Sequence, residues 1–476
     1  MSGAKELTVN AALLHEITME QAWYYRIFPE ELLQDTICLY CEDGADTTAL
    51  ADELEILLGK NVILQTLDPA VMARLLNQYY IREEQQAATS SLTHDHSSDD
   101  FLQNLISEAK RLKSSDIHIE TYEEKCRVRI RIDGMLVERY ILSRLEYPAI
   151  INRIKILANL DIAEKRLPQD GRINFKTSQH QFDIRVSVLP TLYGEKVVLR
   201  LLNNDATNID LFTLGFAEQD LNNYLEGVKR PNGIVLISGP TGSGKTTTLY
   251  ATLKLLNKNT RNILTIEDPI EYTLDGINQV QLKENIGLTF AAALRTFLRQ
   301  DPDVIMVGEI RDPETANMAI RAALTGHLVL STIHTNSAWG TISRLMDMGI
   351  PPFLVANTLN TSVAQRLVRL LCPNCRTQTA MDHTLYPKSF SPPFKVNQHW
   401  VAKGCDQCYF TGYKGRKAVY EVIPLDQELA FQIKAGNQQP EGLLKERGID
   451  TIGANAFALF AQGHTSLDEV YPLLLN

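Results

Sequence analysis

The run Gly239-Pro240-Thr241-Gly242-Ser243-Gly244-Lys245-Thr246 satisfies G-x-x-x-x-G-K-[ST], a set of residue types suited to holding phosphate. Glycines let backbone N–H groups turn inward on phosphate oxygens, and Lys245 reaches the β/γ oxygens. The Thr246 hydroxyl, followed by Thr247, is placed for Mg²⁺. The flanks agree with this chemistry. Gly233 to Ser238 is an apolar run of strand length, and Thr246 to Leu256 reads as a helix whose positive end faces the phosphates. These residues predict a nucleotide site.

Three later segments repeat a strand followed by polar residues, as expected where active groups sit at strand C-terminal ends. Asn262 to Ile266 leads into Glu267-Asp268-Pro269-Ile270-Glu271. Carboxylates there suit the shell of Mg²⁺ or a general base acting on water. Val304 to Val307 runs into Gly308-Glu309, an apolar strand ending in an acid. Leu328 to His334 follows His327 and precedes Thr335-Asn336. His334 is thereby expected to sense the γ-phosphate or position water.

Cysteine spacing marks a second centre. Cys372-Pro-Asn-Cys375 and Cys405-Asp-Gln-Cys408 form two C-x₂-C knuckles, a ligand set for tetrahedral, structural Zn²⁺. The stretch between them is longer than in common zinc ribbons. Cys38 and Cys41 also make C-x-x-C, but on a strand positions i and i+3 face opposite sides, so a metal or redox role is not expected.

The elements that must position these groups follow from length and patterning. A chain of 476 residues, 44% hydrophobic and 22% charged, is that of a globular protein of about three domains. A net charge of −10 argues against non-specific nucleic-acid binding. No signal peptide and no apolar run of membrane-spanning length are read, and seven cysteines fit reduced thiols, so a cytoplasmic location is expected. Residues 1–82 read as a small mixed α/β domain and 83–100 as a linker containing His94 and His96. Residues 101–205 read as an α+β module with strands at 115–120, 127–134, 181–188 and 195–202 and a helix near 148–159. Within it Arg127, Arg129 and Arg131 share one strand face, either solvated or contacting an anion. Residues 206–476 form the nucleotide domain, its cysteine element near 370–412, with helical packing from about Leu425.

Leu298-Arg-Gln-Asp-Pro-Asp-Val-Ile-Met-Val-Gly-Glu-Ile-Arg-Asp312 resembles the signature of the ATPase family that powers type II secretion and type IV pilus assembly. Thr265 to Tyr272 is similar to its aspartate box and Thr325 to Asn336 to its histidine box. The resemblance covers roughly residues 101–476 and only loosely the first 80. It implies an α/β fold: a RecA-like P-loop domain preceded by a PAS-like α+β module and a small mixed α/β N-terminal docking domain. It implies ATP, Mg²⁺ and Zn²⁺ as bound groups, with Lys245, Glu309 and the general base Glu271 as catalytic groups and Thr246, Glu267 and Asp268 toward Mg²⁺. It also implies that Arg185 and Arg200 of the preceding module fold over the γ-phosphate. The implied partners are further copies of the chain in a ring, a hexamer, together with an inner-membrane platform protein and a membrane-anchored docking protein. Nucleic acid is not among them, and the protein would lie peripheral to the inner membrane. The cysteine element favours assembly over a pilus-retraction motor. A nucleic-acid translocase on a RecA-like core is the rival from another class.

Overall fold

The computed structural model describes residues 16–17, 19–33, 36–44, 46–79, 98–176, 181–201, 210–388, 390–437 and 440–475. Most of the expected linker, with His94 and His96, lies outside the described residues. The chain divides into two units, Met1–Gln103 and Asn104–Asn476.

In the first unit, strands β1 (Ile27–Leu33), β2 (Thr36–Glu42) and β3 (Asn61–Leu67) form one sheet in that order, β1/β2 antiparallel and β2/β3 parallel. The crossover needed by the parallel pair is the helix Thr47–Leu58. Asp46 caps its start by accepting from the Thr48 and Ala49 N–H groups, and Gly59 at φ 64° ends it. Cys38 and Cys41 are both buried in β2 and free, and burial raises both thiols. Neither belongs to a metal-capable cluster among the described residues.

The second unit begins with an antiparallel sheet of β4 (Asp116–Thr121), β5 (Cys126–Ile132), β6 (Met135–Leu142), β7 (Gln169–Lys176), β8 (Gln181–Thr191) and β9 (Gly194–Leu201), in the order β6-β5-β4-β9-β8-β7. Ile117, Ile119, Val128, Ile130, Ile184, Val186, Val197 and Leu199 alternate onto its buried face. Where the sequence pattern ran the second strand through Gly134, the structure ends it at Ile132. Asp133 and Gly134 both take positive φ, as a two-residue Asp-Gly hairpin turn requires, and β6 follows at once.

The opposite face of this sheet is a charge network. Glu120 accepts from Arg129 at 2.9 Å through both of its oxygens, from Arg127 at 3.0 Å, and pairs with Lys196 at 2.9 Å. Asp116 pairs with Arg200 at 2.9 Å and Arg131 at 3.6 Å. The arginine row of β5 is thus neither freely solvated nor an open anion contact; acids of the neighbouring strand neutralise it.

Beyond Asp210 comes a second sheet: β10 (Gly233–Ser238), β11 (Ile263–Glu267), β12 (Asn278–Gln281), β13 (Val304–Val307), β14 (Leu328–Ile333), β15 (Leu359–Leu371) and β18 (Tyr413–Pro424). A two-stranded ribbon of β16 (Thr377–Ala380) and β17 (Gln398–Val401) interrupts the sequence. The order is β12-β11-β13-β14-β10-β15-β18, parallel except for the last strand. β10, β11, β13 and β14 are buried at every position because helices cover both faces. Alternation splits their side chains between two cores, Ile234 and Leu236 in one, Val235 and Ile237 in the other. Four helices follow within Gln427–Leu474.

Burial alone would raise the Glu120 carboxyl, but the hydrogen bonds from Arg129, Lys196 and Arg127 outweigh it and hold the group at about 2. A folded value below the unfolded one stabilises the fold above about pH 4 and ceases to do so as pH falls toward 2. Glu120→Gln is therefore expected to lose about 3 kcal/mol at pH 7, measured by urea unfolding of the full chain, and the difference should shrink as pH drops below 4.

Candidate nucleotide site and tetracysteine centre

The phosphate loop joins the C-terminal end of β10 to the helix Lys245–Leu256. Gly239, Gly242 and Gly244 all take positive φ. A Cβ on Gly239 would lie 2.5 Å from the Gln365 carbonyl oxygen, and one on Gly244 would lie 2.9 Å from Gln365 Nε2. Lys245 Nζ donates to the Gly239 and Pro240 carbonyls at 2.7 and 2.9 Å, following the loop's curve. Burial lowers the Lys245 pKa, the Glu309 charge opposing and Arg366 adding to that effect. Thr241 and Thr246 are exposed at the loop's mouth, with Thr247 half-buried behind. The Ser243 hydroxyl is buried with no partner, a polar atom left for a ligand by the loop's own geometry.

β14 lies between β10 and β13, so the strand leading to His334 separates the phosphate-loop strand from the strand leading to Glu309. Thr332 Oγ1 donates to the Gly308 carbonyl and Ser331 Oγ to that of Val307, each at 2.7 Å, tying the two strand ends together. Glu309 pairs with Arg311, and its Oε2 stands 3.5 Å from His334 Nε2. Arg185 Nη2 donates to the Ile270 carbonyl at 2.8 Å and lies 3.4 Å from Glu271 Oε2. Arg200 instead turns to Asp116 within its own sheet.

The expectation that Glu267 faces Mg²⁺ meets a physical objection. Glu267 is buried at the end of β11, where Thr265 Oγ1 at 2.5 Å, Gln279 Nε2 at 3.1 Å and the Tyr250 hydroxyl occupy its oxygens. Burial raises its pKa, which those hydrogen bonds oppose. This arrangement fastens the acidic segment to the loop's helix, since the Tyr250 hydroxyl also accepts from the Glu271 N–H at 3.3 Å. Asp268 remains exposed.

Two residues unread in the sequence brace the site from β15, the strand beside β10. Gln365 on β15 donates to the Ser243 carbonyl at 2.9 Å and accepts from Thr248 Oγ1 at 2.9 Å. Arg366 donates to the carbonyls of Gln365 at 3.0 Å and Asn336 at 2.9 Å. Their signal was faint: both are buried, and β15 also carries Asn360, Thr361, Ser362 and Arg369, so nothing in its pattern singles out this pair.

The cysteine knuckles do converge. Sulfur separations are 3.9 Å for Cys372–Cys405, 3.7 Å for Cys375–Cys408 and 3.8 Å for Cys405–Cys408, and the four sulfurs lie within 4.8 Å of one another. Tetrahedral zinc with bonds of about 2.3 Å separates its sulfurs by about 3.8 Å, so this donor set fits that ion. The N–H groups of Cys405 and Gly412 both donate to Cys408 Sγ at 3.2 Å. The long gap between knuckles is the β16/β17 ribbon, which carries the chain out and back.

A strand order with β14 between the phosphate-loop strand and β13, which leads to Glu309, defines a RecA-like P-loop protein. Residues 91–472 match the model of the family described as "Type II/IV secretion system protein". A type II secretion system protein E of Klebsiella pneumoniae is 50% identical over 347 residues, covering 73% of this chain and 69% of that protein. The type IV pilus assembly ATPase PilB of Myxococcus xanthus is 49% identical over 374 residues, 77% of this chain and 66% of its own. Among solved structures, the pilus retraction motor PilT with bound ADP superposes with a TM-score of 0.54 at 26% identity, over 78% of this chain and 96% of that one. The chain belongs to the secretion and pilus-assembly ATPase family. Among the described residues, no helix is long and apolar enough to cross a membrane.

Purified protein is expected to carry about one zinc per chain by elemental analysis, and Cys372→Ser or Cys408→Ser to lose it. A parent protein free of zinc, grown with the metal supplied, would rule the centre out.

Proposed function

We propose that this chain is a Mg²⁺-dependent ATP hydrolase that drives assembly of a pilus or pseudopilus. It acts as a ring of six copies, peripheral to the cytoplasmic face of the inner membrane, through a platform protein and a membrane-anchored docking protein there. The observation that carries the reading is the glycine cradle closed by Lys245, with Glu309 across β14 within electrostatic reach of that lysine.

In this reading Gly239 to Thr247 wrap the phosphates, and Lys245 stabilises charge developing on the γ-phosphate. Thr246, Glu309 and the exposed Asp268 are the groups to hold Mg²⁺, in preference to the engaged Glu267. When bound, the ion neutralises phosphate charge. Glu271 takes the proton of the attacking water, and His334, beside Glu309, reads the γ-phosphate. Arg185 and Arg200 bring the preceding module to that phosphate. Because Arg185 also pairs with Glu271, its transfer to phosphate would release the base, which links closure to chemistry. The four cysteines hold a structural Zn²⁺. Identities near 50% to assembly-type relatives, against 26% to the retraction motor, support assembly.

Lys245→Ala and Glu309→Gln are expected to lower steady-state Mg²⁺-dependent ATP turnover at least a hundredfold. Stimulation is expected from the cytoplasmic part of a platform protein and not from DNA. Undiminished turnover in both variants would refute the hydrolase assignment.

A further inference from the structure

The antiparallel register of β7, β8 and β9 sets three arginines side by side. Arg172 lies directly opposite Arg185, and Arg185 directly opposite Arg200, so all three project from one face of the sheet. Like charges placed opposite each other destabilise a sheet unless something between them compensates. Arg200 has Asp116 and Arg185 has Glu271, but Arg172 is exposed and makes no ion pair among the described residues. The row lines a cleft of about 450 Å³ together with Asp170, Ser187 and Val198. Arg185 Nε is buried without a partner; burial lowers the Arg185 pKa, the Glu271 charge opposes that effect, and the charges of Arg172 and Arg200 add to it. Asp170 and Asp183 share this face, but among the described residues neither is ion-paired to Arg172, whose guanidinium stays unengaged on the sheet that reaches Glu271.

We propose that Arg172 is a third arm of this anion clamp and contacts the terminal phosphate of a bound nucleoside triphosphate alongside Arg185 and Arg200. The inference deepens the hydrolase reading and rests on it. A guanidinium fork suits a phosphate bearing several free oxygens, and three adjacent forks favour a triphosphate, whose extra charged group a diphosphate lacks. The sequence alone hides this residue, because Ile173 and Phe175 are the only apolar side chains of β7, too short an alternation to mark the strand.

The test measures binding of AMP-PNP and of ADP, each with Mg²⁺, to the full chain by calorimetry, in the parent, Arg172→Gln and Arg172→Lys. Arg166→Gln, which removes one charge from an exposed position of the same module where Arg166 pairs with Glu164, serves as the control. Arg172→Gln is expected to weaken AMP-PNP about tenfold while ADP stays within twofold, with Arg172→Lys between and the control unchanged. Retained ADP binding reports an intact fold. Equal effects on both nucleotides, an effect of the control as large as that of Arg172→Gln, or no effect on AMP-PNP would overturn the proposal. Inorganic phosphate that binds the parent and competes with ADP as strongly as with AMP-PNP would also overturn it, because the clamp would then read free anions. A parent chain that binds neither nucleotide would instead sink the hydrolase reading itself.

Discussion

The geometry of this chain depends on one side chain of the strand beside the phosphate loop. Gln365 holds the Ser243 carbonyl with its amide nitrogen and the Thr248 hydroxyl with its oxygen, so the loop and the first turn of its helix are both braced by β15. A turn with glycines at positive φ has little conformational preference of its own, and an external clamp replaces the stiffness it lacks. Closeness enforces the glycines in return: Gly239 and Gly244 sit where any Cβ would strike Gln365. The bracing continues outward. Arg366 holds the Asn336 carbonyl, and Glu421 on β18 accepts from the N–H groups of Ala338 and Ile452. The loop after His334 is thereby fixed to the same strand pair as the phosphate loop and to the start of a C-terminal helix.

Electrostatics divide the preceding module in two. On β4 and β5, acids and arginines are matched, and the network is part of what holds the sheet. Toward β7 and β8 the pairing loosens: Arg172 has no ion pair among the described residues, and Arg185 reaches out of its sheet to Glu271 in the acidic segment of the nucleotide domain. Guanidinium groups left unengaged on a sheet suit a role that must recognise an anion and release it. The Arg185–Glu271 contact is the point where this row meets the proposed general base, so one guanidinium bears on both binding and chemistry.

Much of the nucleotide core was legible because its strands are buried on both faces and read as short apolar runs that end in polar residues. The phosphate loop and both cysteine knuckles were readable because their spacing is itself the chemistry. What stayed hidden depends on contacts remote in sequence. Gln365 looks like a polar interruption of a strand until the sheet order sets β15 against β10. Glu267 looks like an open carboxylate until Tyr250 and Gln279 fold onto it. β6 escaped notice because its positions are half-buried without alternation, and β7 because its residues are largely polar.

The central claim is that the module of β4–β9 reads the nucleotide held by the loop Gly239–Thr246. The most direct measurement is the separation between a genetically encoded fluorescent pair placed at Asn174 on β7 and Lys258 beyond the loop's helix, both exposed. The account predicts one distance distribution with AMP-PNP and Mg²⁺ and a different one with ADP. Identical distributions with AMP-PNP, with ADP and without nucleotide, in protein shown to bind both, would contradict it.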